Sequence, residues 1–193
     1  NMLEKINYEV CGSGNKVVLF LHGWGGSTLS FENAASSLAL QYKTINIDFA
    51  DFGKSESGHK ALDVYEHAFL VYKLLNKLEV NTLSIVGHSF GGRIAIILES
   101  LFNLNIENLV LVNAAGVKPK FNLFTYLKIK KYKLKKKLHL NVKKCGSTDY
   151  RVLSHTMQQS FTKIVNQHLN YLLKYINTKT LIIWGTKDKI TPL

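Results

Sequence analysis

The chain has little cysteine and proline and is poor in acidic side chains, and each shortage narrows what it can be. Two cysteines in 193 residues, Cys11 and Cys145, give no disulfide framework and no metal knuckle, so each is expected to be an ordinary thiol. Two prolines rule out a proline-rich linker, and no apolar run reaches the roughly 18 residues of a membrane-spanning helix. The opening residues Asn1-Met2-Leu3-Glu4-Lys5 lack the charged-then-apolar order of a secretory signal, and the cytoplasm is the expected compartment. Asn1 ahead of Met2 suggests a terminal scar or a reading frame cut from a longer piece.

Acidic residues number 13 against 25 basic ones, and the imbalance is local. Eleven lysines and no acid fall between Val117 and Thr148, which leaves the rest of the chain nearly neutral. Lysines on the wet face of a helical segment are the first reading of that run. An anionic membrane surface is a secondary one, and nucleic acid is not expected. With 46% hydrophobic residues the chain is expected to fold as one globular domain, with room for an inserted subdomain.

What is present is a series of short apolar runs, each ending in a glycine-rich or polar corner. Lys5 to Val10 alternates like a strand, with Ile6, Tyr8 and Val10 on one side, before the turn Gly12-Ser13-Gly14-Asn15. Val17 to Leu21 is apolar on both faces, as a central parallel strand is, and ends in His22-Gly23-Trp24-Gly25-Gly26. A helix is expected over Phe31 to Gln41 with Leu38 and the alanines inward, then a strand from Lys43 to Ile47. Ala61 to Leu78 has a helical period through Leu62, Tyr65, Phe69, Tyr72 and Leu75. A strand ending at Val86, a helix from Phe90 to Phe102 and a strand from Asn108 to Val112 follow. Repeated β-α units with short connections predict an α/β fold with a mostly parallel, doubly wound sheet.

After Ala114-Ala115-Gly116 the pattern turns helical and lysine-rich, with Leu123, Leu127, Leu134 and Leu138 near one face. A later helical stretch carries Met157, Phe161, Ile164, Val165, Leu169 and Leu172. Strand character returns at Thr180 to Trp184. The expected organisation is therefore a core of residues 1–116 and 178–193 with a helical lid at 117–177.

The chemistry concentrates at Gly87-His88-Ser89-Phe90-Gly91, where a strand gives way to a helix at once. A serine hydroxyl is a weak nucleophile unless a turn holds it outward and a base takes its proton. Glycines two before and two after the serine leave room for that turn, and the helix behind it aims free N–H groups at developing negative charge.

Three strand-end motifs stand in order: His22-Gly23-x-Gly25, Gly87-x-Ser89-x-Gly91 and Trp184-Gly185-x-x-Asp188. Together, from about Tyr8 to Leu193, they resemble the α/β-hydrolase family. The loop Asp48-x-x-x-x-Gly53-x-Ser55 is similar to that family's D-x-x-G-x-G-x-S segment, with Ala50 and Asp51 where Pro-Gly is usual. The resemblance implies Ser89 as nucleophile, the backbone N–H groups of Trp24 and Phe90 as oxyanion hole, and Asp188 as the acid that orients a histidine. It implies no metal and no organic cofactor, and a small ester-like substrate as the partner.

In that family the histidine follows the acid after one further helix and strand. The sequence runs five residues past Asp188, so the expectation is that the base and the last helix and strand lie beyond Leu193, and that residues 1–193 alone are nearly inactive. The seven histidines present (His22, His59, His67, His88, His139, His155 and His168) are expected at the surface or behind the site. Two other activities stay open: hydrolytic carbon–carbon cleavage of a diketone-type substrate, and ligand binding without turnover. Oligomeric state is not fixed by the sequence.

Overall fold

The computed structural model describes residues 2–56, 58, 60–118, 130, 131, 134, 150, 153–188 and 191. Six strands form one sheet: β1 (Tyr8–Cys11), β2 (Val17–Leu21), β3 (Lys43–Ile47), β4 (Thr82–His88), β5 (Asn105–Val112) and β6 (Lys179–Ile183). Their spatial order is β1-β3-β2-β4-β5-β6, with β1 antiparallel to β3 and every other pair parallel. The expected α/β architecture is observed. Its helices are α1 (Glu32–Leu38), α2 (Val64–Lys77), α3 (Phe90–Leu101) and α4 (His155–Asn166).

The alternation of side chains along each strand sorts the core into two faces. Leu19, Leu21, Ile45, Ile47, Ile85 and Leu109 are buried in one cluster with Ala68, Val71, Leu74 and Leu75 of α2 and Ile94 and Ile97 of α3. Val18 and Phe20 point the other way and meet Ala35 of α1. Each fully buried aliphatic side chain contributes roughly 1.5–3 kcal/mol. At the far edge β6 is exposed along its whole length, Leu181, Ile182 and Ile183 included.

Two helical faces differ from the sequence reading. On α1 only Ala35 is buried, against Val18 and Phe20, while Leu38 is exposed. On α2 the buried face is Val64, His67, Ala68, Val71, Leu74 and Leu75, and Phe69 is 48% exposed. Asp63 caps α2 by accepting the N–H groups of Tyr65 and Glu66, and Glu66 returns a carboxylate to the Asp63 N–H.

Much of the expected lid, including Leu123, Leu127 and Leu138, lies outside the described residues. Within it Lys130, Lys131 and Leu134 are exposed. α4 is tied to the core through the Leu62 N–H on Ser160 Oγ at 3.0 Å and the Val64 N–H on Gln167 Oε1 at 3.1 Å. Just past it, Leu169 and Leu172 are buried in the main core. Among the described residues no helix is long and apolar enough to cross a membrane, and no group of His, Cys, Asp and Glu is arranged to hold a metal.

Candidate active site

β4 delivers Ser89 to the carboxyl edge of the sheet, and the backbone there is forced. Ser89 has φ +49° and ψ −108°, a region that costs a non-glycine residue about 1–3 kcal/mol. Three hydrogen bonds hold it: its N–H donates to Val112 O (3.1 Å), and its carbonyl accepts from Gly92 (3.1 Å) and Ala115 (3.0 Å). The flanking glycines are required by close approach. A Cβ on Gly91 would lie 2.1 Å from the Leu21 carbonyl oxygen, and one on Gly87 would lie 2.7 Å from the Gly91 carbonyl oxygen. The start of α3 thus sits directly against the end of β2. Ser89 is half-buried, and among the described residues no hydrogen bond reaches its hydroxyl.

The loop after β2 runs across this corner. A Cβ on Gly23 would meet His88 Nδ1 at 2.7 Å and Ser89 Cβ at 3.4 Å, so the bare backbone at Gly23 lets the loop lie on the nucleophile turn. His22 braces it from below. The Phe49 N–H donates to His22 Nε2 (3.1 Å), which leaves the ring proton on Nδ1, where it is given to the Gly23 carbonyl at 2.7 Å. Burial lowers the His22 pKa, against the Gly23 bond and the charge of Asp48, and the ring stays neutral as its bonds require. Among the described residues no backbone partner takes up the N–H of Trp24 or of Phe90. Both flank the Ser89 corner, the second at the positive end of α3.

Asp48 fixes the neighbouring loop. Its buried carboxylate accepts the N–H of Thr28 (2.6 Å), the N–H of Lys54 (2.8 Å) and the side-chain amide of Asn7 (2.8 Å). Gly53, at φ +54°, passes so close that a Cβ would fall 2.3 Å from the same carboxylate. The loop places Phe52 against Trp24, with 4.9 Å between ring centroids, while Phe90 and Phe161 of α4 reach the same indole at 5.7 and 5.2 Å.

Asp188 lies in the loop after β6. Its carboxylate accepts the Thr191 N–H (3.0 Å) and hydroxyl (2.8 Å) and the side-chain amide of Asn113, which directly follows β5. His88 is half-buried; desolvation lowers its pKa while the Asp188 charge acts the other way. Because β4, β5 and β6 are parallel, the loops after β4 and β6 that carry Ser89 and Asp188 open on the same carboxyl edge of the sheet.

The structure therefore gathers Ser89, Phe90, Trp24 and Asp188 at the carboxyl ends of β2, β4 and β6. No described histidine is hydrogen-bonded to Ser89. His22 is committed to its brace, and His67 is buried on the inner face of α2 with its pKa pushed down to about 4 by desolvation. His59 and His139 lie outside the described residues. The sequence pattern does not single out Asn113, and it shows His22 and Asp48 only as members of motifs, not as braces. A strand-end Asn, tolerant of positive φ, was the available signal for the first.

Comparison with known proteins agrees with this fold. Residues 16–133 match the alpha/beta hydrolase fold family. An uncharacterized Mycobacterium tuberculosis protein is 29% identical over 116 residues, 60% of this chain and 34% of its own length. The chain thus spans about a third of the length of that relative. A Mycoplasma genitalium protein whose name assigns it to esterases or lipases is 27% identical over 196 residues, covering 91% of this chain and 72% of its own. Among solved structures, an esterase from Exiguobacterium antarcticum superposes with a TM-score of 0.74 at 24% identity, over 97% of this chain and 80% of that one. The matched family spans more than half the chain, from the start of β2 through the nucleophile turn and beyond β5, and the chain belongs to the α/β-hydrolase fold family.

Proposed function

We propose that the protein is a serine hydrolase acting on small ester or related acyl substrates through an acyl-enzyme on Ser89. The observation that carries this reading is the Ser89 backbone, held at φ +49° in a glycine-packed corner beside two N–H groups without partners among the described residues. A protein keeps such strain where the position of one side chain matters.

In the proposed reaction Ser89 Oγ attacks the acyl carbon and its proton passes to an imidazole from outside the described residues. The carbonyl oxygen becomes an oxyanion facing the N–H groups of Trp24 and Phe90. Such donors lower the barrier by several kcal/mol in a site that excludes water. The imidazolium returns its proton to the departing alcohol, leaving the acyl group on Ser89. Water, deprotonated by the same imidazole, then attacks that ester and restores the free hydroxyl. Asp188 holds the imidazole in the tautomer that accepts from serine. The name of the Mycoplasma genitalium relative supports the ester-directed form of this reading.

The test is a short-chain p-nitrophenyl ester panel on the full-length protein with Ser89→Ala as control. The variant should lose at least about a thousandfold in kcat/KM. Equal rates from both proteins would remove Ser89 from the reaction.

A further inference from the structure

Asn113 is bonded to the end of β6 through its backbone and to the loop that carries Asp188 through its side chain. Its N–H donates to Ile183 O at 2.9 Å, extending the β5–β6 ladder by one rung. Its Oδ1 accepts the Gly185 N–H at 3.2 Å, its Nδ2 donates to Asp188 Oδ2, and its carbonyl oxygen lies 3.2 Å from Thr191 Oγ1. The amide has one consistent orientation, since the Gly185 N–H requires an acceptor and the Asp188 carboxylate requires a donor. Asn113 sits at φ +44°, a conformation that asparagine tolerates better than other residues with a Cβ.

Thr191 completes the hold from the other end of the loop. Its N–H binds Asp188 Oδ1 at 3.0 Å, its hydroxyl binds Oδ2 at 2.8 Å, and its carbonyl accepts the Trp184 indole N–H at 2.6 Å. The hydroxyl has a single proton, and the nearer acceptor is the carboxylate rather than the Asn113 carbonyl. Two donors on Oδ2 and one on Oδ1 fix the carboxylate's rotation about its own bond and its distance from the end of β5. A freely rotating aspartate would present a different oxygen at a different angle with each turn. An acid whose task is to orient another side chain needs the opposite.

We propose that Asn113, with the Thr191 hydroxyl, is a positioning residue for Asp188, setting the rotamer in which the acid meets its base. The inference rests on Asp188 being the acid of the proposed hydrolase. Asn113 acts only through Asp188, so its effect should vanish once the charge of the acid is removed.

The experiment is a double-mutant cycle in the full-length protein on a short p-nitrophenyl ester. Asn113→Gly removes the amide while accepting the positive φ, and Asp188→Asn removes the acid's charge; Thr191→Val takes away one donor and keeps the shape. Asn113→Gly should lower kcat 10- to 100-fold with KM changed less than about twofold. Thr191→Val should lower kcat several-fold in the same way. In the Asp188→Asn background, Asn113→Gly should cost little more. Thermal melts of each variant show that the site is folded. An unchanged kcat in folded Asn113→Gly and Thr191→Val, or an equal loss with and without Asp188, overturns the positioning role. Full activity in Asp188→Asn instead overturns the assignment of the acid, and the positioning role with it.

Discussion

The indole of Trp24 meets the ring of Phe161 edge-on, with 5.2 Å between centroids and 72° between planes. One ring belongs to the loop proposed to stabilise the oxyanion, the other to a helix more than a hundred residues later. Tyr150 extends the contact, 5.6 Å from the Phe161 ring. Three aromatic side chains therefore stand in continuous contact from the loop after β2 to α4 and Tyr150, and in the proposed hydrolase they are the candidate wall for an acyl chain.

Phe161→Ala should consequently widen the accepted acyl group. In an ester series from acetyl to octanoyl, the ratio of kcat/KM for the long over the short substrate should rise about tenfold, the worth of one or two well-packed methylenes. Because Phe161 is only half-buried, the stability loss should be about 2 kcal/mol, below that of a fully buried Phe. An unchanged chain-length profile in a folded variant would place the acyl route elsewhere.

Gly23 and Gly25 sit in one loop yet should respond differently to the same substitution. A Cβ at Gly23 meets the His88 ring at 2.7 Å and must push the loop off the nucleophile turn, whereas one at Gly25 meets nothing within 4 Å. Gly23→Ala should lower kcat about 10- to 100-fold, as a displacement near 1 Å does. Gly25→Ala should leave kcat close to wild type and lose about 1 kcal/mol to its φ of +76°. Steady-state kinetics and thermal melts on the pair separate displacement from strain.

These contrasts also mark where the sequence was readable. β2 occupies the residues its apolar run predicts, because a strand covered on both faces has no other arrangement of such side chains, and β3 likewise spans Lys43 to Ile47 as read. The nucleophile corner was readable because its glycines answer direct clashes. The face of α2 was readable in part: of Leu62, Tyr65, Phe69, Tyr72 and Leu75, Leu62 and Leu75 are buried, but the buried stripe otherwise runs through Val64, Ala68 and Val71. Packing against α3 favoured the stripe with the smaller side chains, leaving Phe69 exposed. The Asn113–Asp188 contact joins residues 75 apart, and no local pattern encodes it.

Asp51 stands where the resembling loop usually has glycine, and the structure retains the glycine-like backbone at φ +72°. Both carboxylate oxygens are buried with no hydrogen-bond partner among the described residues. Asp51→Gly relieves the backbone, about 1–3 kcal/mol, and removes an unsatisfied buried group, about 1–3 kcal/mol more. Against this, glycine gives the unfolded chain about 0.4–1 kcal/mol of extra entropy. A net gain of about 2 kcal/mol should raise Tm by roughly 4–8 °C in a chain of this size. A lower Tm would mean that the carboxylate makes an interaction that outweighs its strain.

His67 should make the fold sensitive to acid. Its ring is buried against Phe49 and Phe90 with Nδ1 unpartnered among the described residues, and desolvation pushes its pKa down from 6.5 to about 4. The charges that reach it are Asp63 and Glu66 at the start of its own helix, which resist the shift, and His22 from the loop after β2, which adds to it. Above pH 6.5 neither the folded nor the unfolded chain binds this proton, and the group gives no pH dependence. Between 6.5 and about 4 the unfolded chain takes the proton and the folded one refuses it, so stability falls as pH falls. At 1.36 kcal/mol per unit the loss approaches about 3 kcal/mol, with His22 acting in the same direction. Urea unfolding from pH 8 to pH 4 should show this decline, and His67→Leu should flatten it by a similar amount while leaving the more modest contribution of His22. An equal slope in wild type and His67→Leu would show that the imidazole reaches solvent or a proton acceptor in the folded state.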